Sequence, residues 1–358
     1  MAAVENNGQA WHDRLAISYW YKMPAHENEP AANIGLLSVG DMGVGIARLL
    51  IAHGFTVATN IIGRSQDTID RARDAKVQLL ESDIKLVQQS SVILSVVPPR
   101  DAESIAQRVI DAVSDTKRKE HIYFVDLNAV APSTIKGIAA RVETSQVPIR
   151  FVDGCILGGP PQQRSSPDSA SGSSSDTNDF TGWARPRLLV SGPDSLTSLP
   201  FGDKFISVLN MNHISPEIGA ASGLKMCFAA LSKGFTAIAT QSFTTAHNLG
   251  VLDALRDEVG IFSPAVLANA EKTVPAMPPK AYRWVREMEE IALTFDEEGG
   301  WNKELFEGAA GVYKAIAEDE VLGSEKVGKR KRGTTLEDVA VAAAGGLQKK
   351  RSQQRPSS

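Results

Sequence analysis

The segment at residues 33–54 constrains the fold more than any other part of the sequence. Its apolar run at 34–37 is typical of a buried strand, and apolar residues then recur at helical spacing until Gly54 ends the pattern. A turn with Gly40 and Gly43 lies between them. A strand, a glycine turn and a helix form the unit that binds a dinucleotide pyrophosphate, because backbone N–H groups at the helix N-terminus face the phosphates.

The turn departs from the G-x-G-x-x-G fingerprint at its first position. Gly40 and Gly43 hold the second and third positions, which allow close approach of the phosphate and packing of the helix on the strand. The alternative is an α/β turn whose small residues serve packing alone. The cofactor interpretation assigns this turn six binding residues: Ser38, Val39, Gly40, Asp41, Met42 and Gly43.

Strand-like and helix-like segments alternate from position 33 to position 214, which predicts a doubly wound parallel α/β sheet. The predicted strands that follow the first lie at 55–61, 77–80, 91–97, 122–127, 150–153, 187–192 and 205–211. From 215 the composition changes, and a long Ala-, Ser- and Gly-rich apolar stretch at 217–246 predicts a long helix that opens an all-α second domain.

The remaining segments complete the predicted organisation. We expect an N-terminal extension at 1–32, a Rossmann domain at 33–214, a helical domain at 215–323 and a basic tail at 324–358. Low-complexity sequence within 161–184 predicts a flexible insertion. The tail is expected to be solvated and mobile, and the alternative is a nuclear-import patch at 329–332.

Composition is that of a soluble globular protein, with 42% hydrophobic residues, 22% charged residues and a net charge of −4. This charge does not indicate nucleic-acid or anionic-membrane binding, and no apolar run is long enough to span a bilayer. Trp11 and Asp13 interrupt the N-terminal segment, and two cysteines suit a reducing compartment, so we expect a cytoplasmic protein. No His or Cys cluster has metal-binding spacing.

The end of the second strand bears on the choice of nucleotide. An NAD-preferring fold commonly has an acidic residue there, whereas this sequence has Asn60 followed by Arg64 and Ser65. A guanidinium beside a hydroxyl suits a 2′-phosphate, which favours NADP over NAD. The alternatives are that Arg64 is a solvated loop residue and that NAD is used.

Two further segments carry candidate chemistry. Lys225 lies among small and apolar residues of the long helix, where burial can lower its pKa and make it a general acid or base. The alternative is that it snorkels to water. Gly158 and Gly159 follow the sixth strand, where exposed N–H groups can bind a carboxylate or simply form a tight turn.

Together these segments resemble the β-hydroxyacid dehydrogenases, and most closely the 6-phosphogluconate dehydrogenase C-terminal-domain-like NAD(P)-binding branch. The resemblance covers residues 33–320. It rests on the order and spacing of six motifs: GLLSVGDMGVGIARLL at 35–50, SVVPP at 95–99, VDLNAVAPST at 125–134, VDGCILGGP at 152–160, GAASGLKMCFAALSKG at 219–234 and RWVREMEEIA at 283–292.

The resemblance implies a Rossmann domain joined by a long helix to a helical domain that often builds dimers. It places Val97 and Pro98 beside the adenosine and ribose, Asn128 near the nicotinamide, and the substrate at Gly158 and Gly159. Lys225 corresponds to the catalytic lysine, which takes the hydroxyl proton as hydride leaves the carbon.

Departures from the family make the predicted pocket more apolar. Ala229 and Phe228 stand where members carry Asn and His, and Leu157 replaces the usual Ser before the paired glycines. True 6-phosphogluconate dehydrogenase activity is therefore not expected. Ser222, or Ser232 with Lys233, can supply polar contacts instead. The substrate-binding residues on this interpretation are Leu157, Gly158, Gly159 and Ser222.

We therefore expect an NADP(H)-dependent oxidoreductase that acts on a CH–OH or C=O group of a small, carboxylate-bearing substrate. Reduction of an imine is an alternative, because the polar groups around Lys225 are few. A dinucleotide-binding regulator or scaffold is the alternative of a different class.

Overall fold

A computed structural model describes residues 33–164, 179–180, 182–326 and 330–354. The predicted extension at 1–32 lies outside the described residues. All described residues belong to one compact unit.

Eight strands form one mixed sheet, and three short strands form another. The strands are β1 (Asn33–Leu37), β2 (Thr56–Asn60), β3 (Gln78–Leu80), β4 (Val92–Ser95), β5 (Ile122–Asp126), β6 (Ile149–Leu157), β7 (Gln162–Gln163), β8 (Asp179–Phe180), β9 (Trp183–Ala184), β10 (Arg187–Ser191) and β11 (Met211–Ser215). The main sheet has the order β11-β10-β6-β5-β4-β1-β2-β3. Strands β1 to β6 are parallel, and β10 pairs antiparallel with β6. The predicted doubly wound α/β fold is confirmed, with its switch point between β1 and β4.

Helices cover both faces of the sheet and build the C-terminal part of the chain. They are α1 (Asp41–Ala52), α2 (Gln66–Asp74), α3 (Asp83–Gln89), α4 (Ala102–Thr116), α5 (Pro132–Ser145), α6 (Gly202–Leu209), α7 (Ala220–Ala229), α8 (Phe235–Asn248), α9 (Leu252–Phe262), α10 (Pro264–Ala276), α11 (Ala281–Glu297), α12 (Glu304–Ala317) and α13 (Leu336–Gln354). Among the described residues, no helix combines the length and the apolar character needed to cross a membrane.

The main sheet is buried on both faces, and β4 shows why the sequences of its strands are continuous apolar runs. Val92 and Leu94 join the core on one face, whereas Ile93 joins the core on the other. Alternate side chains of a strand point to opposite faces, so a strand covered by helices on both sides needs apolar residues at every position.

The predicted long helix is continuous from Ala220 to Asn248, but it is not α-helical throughout. Its middle is a π-helical turn, Ala230–Gly234, which separates α7 from α8. The Tyr313 hydroxyl donates a hydrogen bond to the Lys233 carbonyl in this turn. The bond satisfies a carbonyl group in a region where the α-helical pattern is broken.

The predicted strand at 205–211 is wrong. Residues Gly202–Leu209 form α6, and the strand β11 begins only at Met211. Phe205, Val208 and Leu209 are buried at helical spacing against α1 and the sheet. A short apolar run does not distinguish a strand from a buried helix, and tertiary packing decided this one.

The predicted flexible insertion at 161–184 is wrong at both of its ends. The three strands β7, β9 and β8 pair antiparallel in that order, and the Trp183 side chain is buried in the main core. The central part, residues 165–178, lies outside the described residues.

The predicted solvated tail at 324–358 is wrong where α13 packs on α8. Leu336, Val339 and Ala343 of α13 are buried in the core of the helical region. The basic segment before it is also folded, because the Glu325 carboxylate accepts hydrogen bonds from the backbone N–H groups of Lys331 and Arg332. Position 329 lies outside the described residues.

Candidate active site

The glycine turn after β1 leads into α1 as predicted. Gly40 is the N-cap with φ −71°, and the first helical hydrogen bond runs from Val44 N–H to the Gly40 carbonyl at 2.8 Å. The N–H groups of Asp41, Met42 and Gly43 precede this bond and have no acceptor within the helix. Three parallel donors at a helix N-terminus suit a pyrophosphate.

Ser38 and Gly43 explain why the turn keeps its shape despite its departure from the fingerprint. Ser38 has φ 80°, the left-handed conformation that glycine adopts without strain. A Cβ added at Gly43 would lie 2.2 Å from the Ser38 carbonyl oxygen. Gly43 is therefore required by close packing, whereas Ser38 accepts an unfavourable backbone conformation.

The loop between β2 and α2 carries Arg64 next to Ser65, the residue before α2. Ser65 caps α2, its hydroxyl accepting the Thr68 N–H at 3.4 Å. The half-buried Arg64 guanidinium has no hydrogen bond or ion pair to a described residue. Both polar atoms of the Asn60 side chain are engaged, because its Nδ2 donates to the Asp83 carboxylate at 2.7 Å and its Oδ1 accepts the Ile62 N–H at 2.9 Å.

Sequence reasoning missed Arg71. Its guanidinium donates to the Val39 carbonyl at 3.0 Å and so ties α2 to the glycine turn. The sequence signalled only that residues 66–74 are Arg-rich. A contact between a helix and a turn that lie this far apart in the chain has no local signature.

Asn128 joins the ends of β4 and β5. Its Oδ1 accepts from the Val97 N–H at 2.7 Å, and its Nδ2 donates to the Ser95 hydroxyl at 2.9 Å. These bonds place the half-buried Val97, and with it the exposed Pro98, at the carboxyl edge of the sheet beside the switch point. Asn128 is itself almost fully buried, so its first role is to shape this edge.

Asp126 is a second residue that the sequence did not single out. It is completely buried, and its Oδ2 has no hydrogen-bond partner among the described residues. Burial, with a smaller contribution from Asp153 on the neighbouring strand, raises the pKa of Asp126 to about 7. Burial therefore favours the protonated form of this carboxyl group beside Asn128, because a buried negative charge is unfavourable there.

The paired glycines lie at the end of β6, which extends beyond the parallel strands beside it. Gly158 has φ 121°, and both glycines are exposed. A Cβ added at Gly45 would lie 3.0 Å from Pro161, so the segment after the glycines packs against α1. The glycine pair and the phosphate turn therefore lie on the same side of the sheet.

The predicted substrate residue Ser222 has a structural role instead. Ser222 is completely buried and donates to the Asp153 carboxylate at 2.6 Å. That carboxylate also accepts the Gly219 N–H at 2.9 Å, so it caps α7 and positions the helix that carries Lys225. The half-buried Leu157 side chain packs with Cys155, Leu189 and Ala221, and its contact with a substrate stays a prediction.

Lys225 meets the end of β6 at the glycine pair. Its Nζ donates to the Ile156 carbonyl at 2.7 Å. Burial first, and then the positive charge of Lys233, lowers the pKa of Lys225 to about 8, and Glu287 partly opposes this shift. The amine can therefore exist in both protonation states near neutral pH, as a general acid or base requires.

Lys233, two turns beyond Lys225, is not available as a substrate contact. It forms a part-buried ion pair with Glu287 of α11, and its Nζ lies 5.4 Å from the centroid of the Trp284 ring. Ser232 donates to backbone carbonyls of its own helix. Polar substrate contacts must therefore come from elsewhere than this part of the helix.

In total, the structure brings the phosphate turn, Val97, Pro98, Asn128, the glycine pair and Lys225 to one edge of the sheet. Within the described ranges no group of three or more His, Cys, Asp or Glu residues is arranged to hold a metal ion. The edge combines a helix N-terminus for phosphates, exposed backbone donors and an amine of lowered pKa.

Comparisons with known proteins bear on the family and the fold of the chain. Residues 33–179 match the NAD binding domain of 6-phosphogluconate dehydrogenase, and residues 246–316 match a domain of unknown function, DUF1932. The two segments together span more than half of the chain. A curated relative, "Uncharacterized 28.5 kDa protein in 7S RNA 5'region" of Methanothermus fervidus, is 25% identical over 223 residues, which is 61% of this chain and 74% of that protein.

Solved structures show the same fold. Mycobacterium tuberculosis 3-hydroxyisobutyrate dehydrogenase superposes with a TM-score of 0.58 at 14% identity, covering 88% of this chain and 99% of that one. A conserved hypothetical protein from Sinorhizobium meliloti 1021 superposes with a TM-score of 0.57 at 20% identity, covering 89% of this chain and 97% of that one.

Proposed function

The chain belongs to the β-hydroxyacid dehydrogenase superfamily, and on that premise we propose that it is an NADP(H)-dependent oxidoreductase. It moves hydride between the nicotinamide and a CH–OH or C=O carbon of a small, carboxylate-bearing substrate. The observation that carries the proposal is the position of Lys225. Its ammonium or amine group binds the carbonyl of Ile156, one residue before Leu157 and the glycine pair, on the edge of the sheet that carries the phosphate turn.

Lys225 supplies the proton transfer in this mechanism. For oxidation, neutral Lys225 accepts the hydroxyl proton while hydride leaves the carbinol carbon, which becomes a carbonyl. For reduction, the Lys225 ammonium donates its proton to the carbonyl oxygen. NADP, when bound, accepts or supplies the hydride. The N–H groups at positions 41–43 would hold its pyrophosphate, and the glycine pair would offer backbone donors to the substrate carboxylate.

Arg64 carries the proposed preference for NADP. Its guanidinium has no partner among the described residues and lies beside the N-terminus of α2, where a 2′-phosphate would gain two kinds of donor. Asn60, at the position where an acidic residue would favour NAD, is held by Asp83. NAD is the nucleotide used if Arg64 remains solvated.

The test is a fluorescence titration of the purified chain with NADPH and NADH, followed by turnover of a panel of hydroxy acids, ketones and cyclic imines. We expect NADPH to bind more tightly, and Arg64→Gln to weaken NADPH binding roughly 10- to 100-fold without changing NADH binding, because a charge-assisted hydrogen bond is lost. Equal affinity for both nucleotides would refute the Arg64 assignment, and binding of neither would refute the enzyme proposal.

The same panel separates the two alternatives. Ala229, four residues after Lys225, is buried in the helical core and supplies no second polar group beside the lysine. Turnover of imines, but of no hydroxy acid or ketone, would therefore favour the imine reductase alternative. Tight NADPH binding with no turnover of any compound would indicate a regulator or scaffold instead.

We also propose a homodimer as the functional assembly. Leu224, Phe228, Leu231 and Ile238 recur at helical spacing along the long helix and are exposed, Leu231 to 80% and Phe228 to 49%. Such a stripe indicates an interaction surface, and a second copy is the partner expected of a helical region of this kind. Sedimentation equilibrium should give the mass of two chains, and the mass of one chain would contradict the proposal.

The domain division and the compartment are also proposals. We place the boundary between the Rossmann and helical domains at 214/215, one residue before the end of β11 at Ser215 and ahead of α7, which begins at Ala220. Cys155 and Cys227 are free thiols, in agreement with a reducing compartment such as the cytoplasm.

A further inference from the structure

Glu290 is a buried acid of the motif at 283–292, and the proposed chemistry does not use it. It lies on α11 and is 1% exposed. Its Oε1 pairs with the Arg286 guanidinium one turn earlier at 2.6 Å. Its Oε2 accepts the Ala131 N–H at 2.8 Å and the Thr134 hydroxyl at 3.2 Å. Both carboxylate oxygens therefore have partners, as a buried charge requires.

Glu290 supplies the N-terminal cap that α5 lacks in its own sequence. Ala131, the N-cap residue of α5, has no side-chain oxygen, and the first turn of the helix contains no acidic residue. A carboxylate at a helix N-terminus accepts hydrogen bonds from the groups there and interacts favourably with the helix dipole. The start of α5 is therefore held by a side chain of the helical region.

The backbone that Glu290 holds belongs to the loop that carries Asn128. This loop joins β5 to α5 and spans residues 127–131. Val130 is buried in the core on one face of the sheet, whereas Ala129 packs against the core of the helical region. The loop thus contacts both halves of the fold, and the bond at its last residue restrains Asn128 three positions earlier.

The same helix, α11, is also tied to the long helix that carries Lys225. One turn before Glu290, Glu287 forms a part-buried ion pair with Lys233, which lies two turns after Lys225. α11 therefore contacts both the Asn128 loop and the helix of the proposed general acid or base. A regular helix between two contacts keeps the distance between them constant.

The Asn128 loop lies where the nicotinamide half of the proposed cofactor would extend. The pyrophosphate is assigned to the start of α1 and the 2′-phosphate to Arg64 after β2, so the other half crosses the switch point toward β4 and β5. The ends of these two strands are joined, because the Asn128 Oδ1 accepts the Val97 N–H at 2.7 Å. A displaced loop would therefore move both strand ends.

We propose that Glu290 is a positioning residue that holds the Asn128 loop, and with it the nicotinamide, at a fixed distance from Lys225. The inference rests on the proposed function and deepens it, because it assigns a task to a residue that touches neither substrate nor cofactor. Hydride and proton leave or reach neighbouring atoms of one substrate, so the nicotinamide and the lysine amine must be placed together. A misplacement of about 1 Å is enough to lower a rate roughly 100-fold.

Two nearly isosteric variants test the contact from its two sides. Glu290→Gln keeps the size of the side chain but removes the charge, and its amide group must face either Arg286 or the donors of α5. Thr134→Val removes one donor and leaves α11 unchanged. The controls are Glu289→Gln, an exposed partner of the same Arg286, and Glu298→Gln, which breaks an exposed ion pair between the end of α11 and α5.

We expect Glu290→Gln to lower kcat roughly 10- to 100-fold at saturating substrate and cofactor. NADPH affinity should remain that of the parent chain, because the phosphate contacts are untouched, whereas the fluorescence emission of bound NADPH should change with the surroundings of the nicotinamide. Thr134→Val should lower kcat by a smaller factor, and both controls should match the parent chain.

Two results would overturn the proposal. One is a parent-like kcat and parent-like emission of bound NADPH in Glu290→Gln. The other is a lowered Tm with unchanged kcat, which would assign Glu290 to stability alone. If Glu290→Gln does not fold, Thr134→Val decides the matter, since a parent-like kcat and emission in that variant would also contradict the proposal.

The emission of bound NADPH separates the inference from the proposed function, because it requires no turnover. If the parent chain binds NADPH and turns over no compound, an altered emission in Glu290→Gln supports the positioning role while the proposed reaction fails. Turnover by the parent chain with unchanged kcat in Glu290→Gln supports the oxidoreductase and contradicts the positioning role.

Discussion

Replacing Lys225 by methionine should lower turnover roughly 1000-fold, the scale of a lost general acid or base, while NADPH still binds. Methionine keeps most of the length and apolar surface of the side chain and removes the proton donor. The substitution also leaves the Ile156 carbonyl, near the end of β6, without the hydrogen bond from Lys225. Steady-state rates and an NADPH titration on the same preparation measure both effects.

The pH dependence should report the same residue. Oxidation needs the neutral amine, so its kcat/KM should rise with pH and level off above a pKa of about 8, whereas reduction needs the ammonium form and should decline above it. Lys272→Met, on the exposed side of α10, is the control. A Lys225→Met variant that turns over within a few-fold of the parent chain would remove Lys225 from the mechanism.

Substituting alanine at Gly40 should weaken NADPH binding, whereas substituting alanine at Gly43 should lower the stability of the fold. At Gly40 the backbone has φ −71°, and an added Cβ would find no atom closer than the Ser38 hydroxyl at 3.9 Å. Gly40→Ala should therefore fold with an unchanged Tm. The methyl group would occupy the space that a pyrophosphate must enter, so NADPH affinity should drop roughly tenfold or more.

Gly43→Ala should instead destabilise the fold. Its Cβ would lie 2.2 Å from the Ser38 carbonyl oxygen, and the turn or the helix must move to relieve the overlap, at a cost of about 3 kcal/mol. Thermal denaturation with and without NADPH measures both effects. Gly137→Ala, on the exposed side of α5 with no atom within 4 Å of the new Cβ, is the control. A destabilised Gly40→Ala with an unaffected Gly43→Ala would reverse the roles of the two glycines.

Local patterns were sufficient for the elements that form the cofactor site. The run at 34–37, the glycine turn and the apolar spacing beyond it predicted β1 and α1, since hydrophobic periodicity and helix-end chemistry act over a few residues. The same signals failed at Phe205 and at Leu336. Their apolar residues are buried by elements distant in sequence, α1 and α8, which no local window contains.

The residues of the candidate site also differ in whether a local pattern could identify them. Lys225 could be singled out from the sequence, because burying a lone charge on an apolar helix is energetically unfavourable. The roles of Ser222, Asp126 and Arg71 depended on partners that are remote in the chain. Asp153 acts on both Ser222 and Asp126, and the Val39 carbonyl holds Arg71. The Ser222 hydroxyl, which was predicted to contact substrate, donates to the carboxylate that caps α7, because Asp153 of β6 lies against this helix.

Local sequence patterns were enough to predict a dinucleotide-binding α/β unit followed by a helical region with one isolated lysine, because periodicity, glycine spacing and isolated charge are local properties. The surroundings of that lysine depend on the tertiary structure. The fold places the Lys225 amine at the carbonyl of Ile156 and pairs Lys233 of the same long helix with Glu287 of α11. Electrostatic surroundings depend on distances through space between groups on different elements, and the order of residues along the chain does not specify those distances.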